Sequence, residues 1–367
     1  MNKYAFPYIT NASFRMCELD DILIQNIHEE YRNSSAEELY RYATQRKILP
    51  FVAYLMGSMD LDRDFWNGVT EHYRKRNSTI IRALAQLFIQ FEQYGVKKVF
   101  VSQNFGALLA SGMDISLFAS GDVDLCGDIS EKKEIDKAFK DLGYIQKDRY
   151  CGKKLISSDY FNHNVLPQGF AIGIEYDTLS RLKLPNPIDM TDFVDWNRTM
   201  FYKDTRIVLP SIDELTYICL VHISLHSFSR EPDIRLYVDI ENCIRCNPNF
   251  KTVMSFAEKD NTVVRVLAAY ILMSKLFDNK LNDAVMDAYY DKYAERVNSV
   301  IDLVYNPKKN ELLYEPSHLK TLIIECAYYD TSGGLMRMLI PRKDWIFEVY
   351  GNSNIMAFVK HILRLLT

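Results

Sequence analysis

The stretch Ser120-Gly121-Asp122-Val123-Asp124-Leu125 is the most informative part of this chain, because it sets two carboxylates inside an apolar strand pattern. Aspartate is unfavourable in strands, so the pair needs a physical reason. Alternate strand residues leave the same face, so Asp122 and Asp124 point together while Val123 enters a core. Neighbouring carboxylates repel each other unless a cation lies between them. Mg²⁺ takes one or two protein carboxylates and completes its shell with water and phosphate oxygens, so the motif predicts a metal–polyphosphate site.

The residues around this motif alternate between strand and helix signals. Segment 97–101 predicts a strand, and segment 106–110 predicts a turn at Gly106 that leads into a helix. A third acid, Glu175, follows on a strand signal at 171–176. A glycine turn lets backbone N–H groups approach phosphate, and three carboxylates can hold one or two metal ions. This order is typical of a phosphoryl-transfer site.

Helical signals precede and follow this section. Ser35-Ala36-Glu37-Glu38 and Ser211-Ile212-Asp213-Glu214 have the form of capping boxes, which open helices. Apolar spacing predicts further helices beginning near 60–65 and running from about 77 to 94, followed by Gly95 as a helix stop. We therefore predict an α+β protein with an N-terminal helical region (1–95), a core (96–210) and a C-terminal helical region (211–367).

The composition argues against several classes of protein. The 367 residues carry a formal net charge of -4, whereas nucleic-acid-binding proteins usually have a basic excess. A nucleic-acid-modifying enzyme stays a weaker alternative, and the basic run 74–76 is typical of a solvated helix face. No apolar run approaches the ~18–20 residues of a membrane span, and we expect no signal peptide. The scattered cysteines do not form a disulfide pattern, which favours a reduced, cytoplasmic protein.

Two further spacings are compatible with metal binding. The C-x-x-C pair at 243–246 lacks a second pair or a nearby histidine, so a reduced pair is the favoured interpretation. His222 and His226 are one helical turn apart, but the glutamate of a zinc protease is missing. We expect these histidines to contact neighbouring helices, with Arg235 or Asp239 as partners. The i,i+4 spacing of Arg235 and Asp239 favours an ion pair.

Three segments carry a resemblance to a known family. They are Gly106-Ala107-Leu108-Leu109-Ala110, Gly121-Asp122-Val123-Asp124-Leu125 and Leu142-Gly143-Tyr144. In this order they resemble the uncharacterised bacterial nucleotidyltransferase family of the polymerase-beta-like superfamily. Segment 42–50, the helical segments around His222 and Arg235, and the C-terminal residues are similar to the same family, so the resemblance extends over residues 35–367.

The resemblance implies a polymerase-beta-like nucleotidyltransferase core, in which the aspartate pair lies on central strands of a mixed sheet flanked by helices. It implies Mg²⁺-dependent transfer of a nucleoside monophosphate from a nucleoside triphosphate to a hydroxyl of a small molecule or peptide, with release of pyrophosphate. Asp122 and Asp124 would bind the metal, and Glu175 would be the third carboxylate and the base. Residues expected at the nucleotide are Gly106, at the turn that faces the triphosphate, Ala107, Gly121 and Lys153.

The chain departs from the family pattern at three positions. Phe105 stands where the family usually has a lysine, and Phe118 where it usually has an arginine, so two triphosphate-binding cations are replaced. Asp177 stands where a histidine is typical. Basic residues of a neighbouring loop that could supply the charge are Arg149, Lys153 and Lys154. The complete acidic triad favours an active transferase, whereas the lost cations favour the alternative, a catalytically inactive nucleotidyltransferase-like binding module.

Overall fold

The computed structural model describes residues 6–15, 19–151, 153–176, 194–196, 199–229, 233–277, 283–308, 311–313, 318–340 and 343–366. Within these ranges a five-stranded mixed sheet is preceded and followed by helices. The predicted α+β fold class is therefore confirmed. The five strands all lie between residues 99 and 175, while the exact domain boundaries stay a prediction.

Helices form the N-terminal part of the described chain. They are α1 (Pro7–Arg15), α2 (Asp21–Arg32), α3 (Ala36–Gln45), α4 (Leu49–Ser58) and α5 (Arg63–Gln93). The predicted capping box opens α3, where Ser35 Oγ accepts the Glu38 backbone N–H at 3.1 Å. The sequence predicts two helices between 60 and 94, but α5 is one helix of 31 residues. Its buried stripe continues through Trp66, Thr70 and Asn77, and therefore bridges the polar stretch between them.

The sheet is built from segments on both sides of Asp122-Val123-Asp124, the D-x-D motif. Its strands are β1 (Val99–Val101), β2 (Asp122–Gly127), β3 (Ile145–Cys151), β4 (Lys154–Phe161) and β5 (Ala171–Glu175). The order is β1-β2-β5-β4-β3, with β2 and β5 parallel and the other neighbours antiparallel. Helix α6 (Gln103–Ser111) joins β1 to β2, and α7 (Lys132–Asp141) joins β2 to β3. The motif therefore lies on a central strand.

One face of the sheet packs against α5 and α7. Tyr160 of β4 stacks on Phe139 of α7 with ring centroids 3.6 Å apart, and Phe139 contacts Phe91 of α5 at 5.7 Å. Val123 of β2 is fully buried on this face. Because side chains alternate along a strand, the aspartate pair leaves the opposite face.

Helices also follow the sheet. They are α8 (Ile212–Leu225), α9 (Asp233–Arg245), α10 (Phe250–Asp260), α11 (Val263–Phe277), α12 (Ala284–Val304), α13 (His318–Ala327), α14 (Ser332–Leu339), α15 (Lys343–Tyr350) and α16 (Ile355–Leu366). Short strands form two further pairs: β6 (Met200–Phe201) with β7 (Val208–Leu209), and β8 (Tyr305–Asn306) with β9 (Glu311–Leu312). The second capping box is also present, with the Glu214 carboxylate accepting the Ser211 backbone N–H at 2.8 Å.

Helices α8 and α9 both pack against α6, which itself packs on β2, the strand of the motif. A buried apolar cluster extends from Phe6 to Tyr329, so helices before and after the sheet share a core with it. None of the helices in the described ranges is long and apolar enough to cross a membrane.

Candidate functional site

The three predicted acids lie on one face of the sheet. In the parallel pairing of β2 with β5, Asp124 stands opposite Gly173 and Cys126 opposite Glu175. Glu175 is therefore one step further along this face than Asp124, while Asp122 is one step before it. Asp122 is exposed, whereas Asp124 and Glu175 are partly buried. The predicted neighbour Asp177 lies outside the described residues.

A fourth carboxylate, Asp159 of β4, stands in the same row. Gly173 pairs with Asp124 on one side and with Asp159 on the other. A Cβ atom at Gly173 would lie 3.4 Å from Asp124 Oδ1 and 3.6 Å from Asp159 Oδ1. The absent side chain thus leaves a gap that both carboxylates face. Sequence reasoning missed Asp159, because only the register between β4 and β5 brings it here.

The charge around Asp124 is predominantly negative. Burial raises the pKa of Asp124 well above its usual range, and the charges of Glu175 and Asp122 raise it further. Arg235, from α9, acts in the opposite direction and lowers the pKa of this carboxyl. A group of acids opposed by a single arginine charge is the chemical setting in which a divalent cation is stabilised.

Neighbouring polar groups hold each of the other acids. Ser120 Oγ donates to Asp122 Oδ1 at 2.5 Å, and the side chain of Gln103 makes a long hydrogen bond of 3.5 Å to Glu175. Arg149 Nε donates to Asp159 Oδ2 at 2.7 Å. No three Asp, Glu, His or Cys side chains of the described residues converge as a ligand set. The D-x-D pair still fits Mg²⁺, because this ion needs one or two carboxylates when phosphate and water supply the other ligands.

The corner between β1 and α6 differs from the sequence prediction. The helix begins at Gln103, so Gly106 lies at the end of its first helical turn and does not form the turn between strand and helix. A Cβ at Gly106 would lie 2.9 Å from Val101 O and 3.3 Å from Leu215 Cδ1. This glycine is therefore required for close packing of α6 on β1 and α8. The expectation that Gly106 forms the turn is wrong, whereas its contact with the triphosphate stays a prediction.

The turn itself is formed by Ser102 and Gln103. Ser102 donates its backbone N–H to Asp124 O at 2.9 Å, and its buried hydroxyl has no hydrogen-bond partner in the part of the chain that the structure describes. Gln103 has a φ of 49°, in the left-handed region that costs a non-glycine residue roughly 1–2 kcal/mol. Strained backbone next to carboxylates is typical of functional sites.

The other residues predicted at the nucleotide occupy different environments. Ala107 is fully buried inside α6, and a Cβ at the exposed Gly121 would meet open space. Lys153 donates its backbone N–H to Val349 O at 2.9 Å, and a Cβ at Gly351 would lie 2.6 Å from its Nζ. The partner of Glu175 on β4 is Ser157, and Lys153 comes four residues before Ser157. At the rise of an extended chain this separates Lys153 from Ser157 by roughly 13 Å. It therefore lies against α15.

The two aromatic departures from the family pattern are in contact with each other. The rings of Phe105 and Phe118 are 4.4 Å apart, and both side chains are buried. The two positions at which cations are expected thus form one apolar contact. Arg149, one of the suggested replacements, is bonded to Asp159, and the side chain of Lys154 lies outside the described residues.

Arg76 of α5 reaches the segment that leads into the motif. Its guanidinium donates to Ser120 O and, at 3.4 Å, to Phe118 O, and it lies 5.2 Å from the ring of Phe170. Asn77, which is fully buried, donates to Phe118 O at 3.0 Å. The prediction of a solvated basic face is therefore wrong for Arg76, which fastens the 118–120 segment to α5.

The remaining sequence patterns are structural in the described residues. Arg235 and Asp239 form the predicted ion pair at 3.5 Å, with side chains about nine-tenths buried. The rings of His222 and His226 are 5.0 Å apart. Burial, then the charges of His226 and Arg235, lower the pKa of His222 to about 3. The cysteines described, among them Cys243, are free thiols.

A comparison with models of protein families identifies the family of this chain. No curated protein and no solved structure matches it significantly. A family model described as an uncharacterised nucleotidyltransferase matches residues 32–278, which is well over half of the chain and includes the sheet, the acidic face and α9. The resemblance seen in the sequence motifs is thereby confirmed, and the chain belongs to this uncharacterised nucleotidyltransferase family.

Proposed function

We propose that this nucleotidyltransferase moves a nucleoside monophosphate from a nucleoside triphosphate to a hydroxyl of a small molecule or peptide, in a Mg²⁺-dependent reaction. The main support for this proposal is that Asp122, Asp124 and Glu175 lie on the same face of the sheet, next to the gap at Gly173. Bound Mg²⁺ would neutralise the phosphate charge and polarise the reacting phosphoryl group. Asp122 and Asp124 would hold it.

The chain's own groups then account for the bond changes. The acceptor hydroxyl gives its proton to Glu175, and its oxygen forms a bond to the α-phosphorus. The bond between that phosphorus and the bridging oxygen of the β-phosphate breaks, and pyrophosphate leaves with the electron pair. Gln103 orients the Glu175 carboxylate through its amide. Ser120 orients Asp122 through its hydroxyl.

The proposal is tested by thermal shift with non-transferable analogues of the four triphosphates, with and without Mg²⁺. Ligand at 100 times its Kd stabilises a protein by about 2.7 kcal/mol, so binding is measurable. We expect a Mg²⁺-dependent shift in the wild type that is lost in Asp122→Asn. Asp128→Asn is the control, since Asp128 follows β2 and pairs with Lys98 at 3.0 Å. An equal shift in Asp122→Asn would contradict the assignment of the site.

A binding module without transfer activity is the second candidate. It is favoured by the buried contact between Phe105 and Phe118, which removes positive charge from two expected phosphate-binding positions. The two functions differ in one measurement, the release of pyrophosphate from triphosphate in the presence of a library of hydroxyl acceptors. Release that is absent in Asp124→Asn supports the transferase, and Mg²⁺-dependent binding without release for any acceptor supports the module.

A further inference from the structure

The guanidinium of Arg235 has donors that the described protein does not use. Arg235 is 8% exposed and lies in the first turns of α9. Among the described residues its ion pair is with Asp239, from Nη1 to Oδ2 at 3.5 Å. Its buried Nε has no hydrogen-bond partner among the described residues. An arginine carries five N–H donors, and a buried donor without a partner is costly, so this arrangement suits a group that completes its bonds with a ligand.

Arg235 lies on α9, which packs against α6, the helix that precedes the strand of the D-x-D motif. Its charge lowers the pKa of Asp124 and also that of His222, so it lies within electrostatic reach of both. Because His222 has a pKa of about 3, it is neutral at physiological pH. Among the described charges that act on Asp124, the positive one is therefore Arg235.

Three other described cations, two from the sheet region and one from α5, are engaged elsewhere. Arg76 donates to the carbonyl oxygens of Phe118 and Ser120, Arg149 bonds to Asp159, and Lys153 lies against α15. Among these four described cations, Arg235 combines burial beside the motif with unused donors.

We propose that Arg235 binds the non-transferred phosphates of the nucleotide and that Asp239 positions its guanidinium. This inference rests on the proposed function, because it names the group that holds the triphosphate at the same site. Arginine suits the role, since its planar fork matches phosphate oxygens and keeps its charge when buried. A cation supplied by α9 would provide the positive charge that is missing at the two positions occupied by Phe105 and Phe118. It would also place the leaving pyrophosphate between the sheet and the C-terminal helices.

The test measures how binding depends on the number of phosphates. Calorimetry in Mg²⁺ gives the Kd of the tightest-binding triphosphate analogue and of the matching monophosphate. We expect Arg235→Gln to raise the triphosphate Kd by about 10–100-fold and the monophosphate Kd by less than about twofold. Arg235→Lys should be intermediate, because lysine keeps the charge and loses the fork. Arg245→Gln is the matched control, since Arg245 pairs with Glu241 at 3.2 Å on the same helix.

Asp239→Asn provides a second variant that leaves the arginine in place. We expect it to raise the triphosphate Kd about three- to tenfold, because a positioning partner of the cation is weakened. Equal losses for triphosphate and monophosphate, or unchanged affinity for both in folded Arg235→Gln and Asp239→Asn, would overturn the role of Arg235. A wild type that binds no triphosphate would instead refute the proposed function, so the two failures are distinguishable.

Discussion

Gly173→Ala should separate stability from function at the acidic face. The new methyl would lie 3.4 Å from Asp124 Oδ1, 3.6 Å from Asp159 Oδ1 and 3.8 Å from Val123 O, all ordinary contact distances. Alanine in a strand interior is favoured over glycine by roughly 0.5–1 kcal/mol, and the lost hydration of two carboxylates offsets part of this. We therefore expect the free energy of unfolding to change by less than about 1 kcal/mol, a Tm shift of at most about 2–4 °C.

The same methyl fills the gap that the carboxylates face. We expect Mg²⁺-dependent binding of the triphosphate analogue to weaken by at least about tenfold, roughly 1.4 kcal/mol, because water and phosphate oxygens can no longer occupy that gap. The assay is calorimetric titration of the folded variant, alongside its thermal unfolding.

Gly106→Ala is the contrasting substitution. Its Cβ would meet Val101 O at 2.9 Å, and a backbone oxygen cannot move aside as a side chain can. We expect a loss of about 1–3 kcal/mol in unfolding free energy. A Gly173→Ala variant with wild-type Mg²⁺-dependent affinity, or one that is destabilised as strongly as Gly106→Ala, would refute this account of the acidic face.

Three further predictions concern stability, and chemical denaturation measures each of them. Asn77→Ala should lower the unfolding free energy by about 1–3 kcal/mol, since it removes the buried amide that donates to the carbonyls of Ile115 and Phe118; an unchanged midpoint would contradict this. Ser211→Ala should lower the unfolding free energy more than Ser35→Ala does, toward the upper end of about 0.5–2 kcal/mol, because Ser211 is buried and Ser35 is exposed. Equal losses of unfolding free energy would contradict this effect of burial. Burial raises the pKa of Asp260 to about 6, so the folded state binds the proton more tightly than the unfolded state. The contribution of Asp260 to the unfolding free energy should therefore be greatest below its unfolded pKa near 3.8 and should fall as pH rises to 6. The difference in unfolding free energy between the wild type and Asp260→Asn should follow this slope, and a difference that does not change with pH would contradict the prediction.

Local sequence patterns were sufficient for several elements and for the acidic motif. The D-x-D pair lies in a strand because Val123 and Leu125 alternate with the acids, and that alternation is visible in the sequence. The two capping boxes needed only four adjacent residues each. The family, too, could be recognised from short segments, since its motifs are local. Each of these features depends on neighbours in the chain, and a pattern of neighbours is what a sequence displays.

Contacts between distant segments were decided by the tertiary structure alone. Asp159 joins the acidic face only through the register of β4 on β5. The charge of Arg235 acts on Asp124 from α9, a helix that packs on α6. The close approach at Gly106 likewise involves Leu215, from a helix more than a hundred residues later. Pairing register and helix packing are set by the summed burial of many side chains, so no local pattern specifies them. The sequence by itself therefore determined which strand carries the acids, and the folded chain determined which charges surround them.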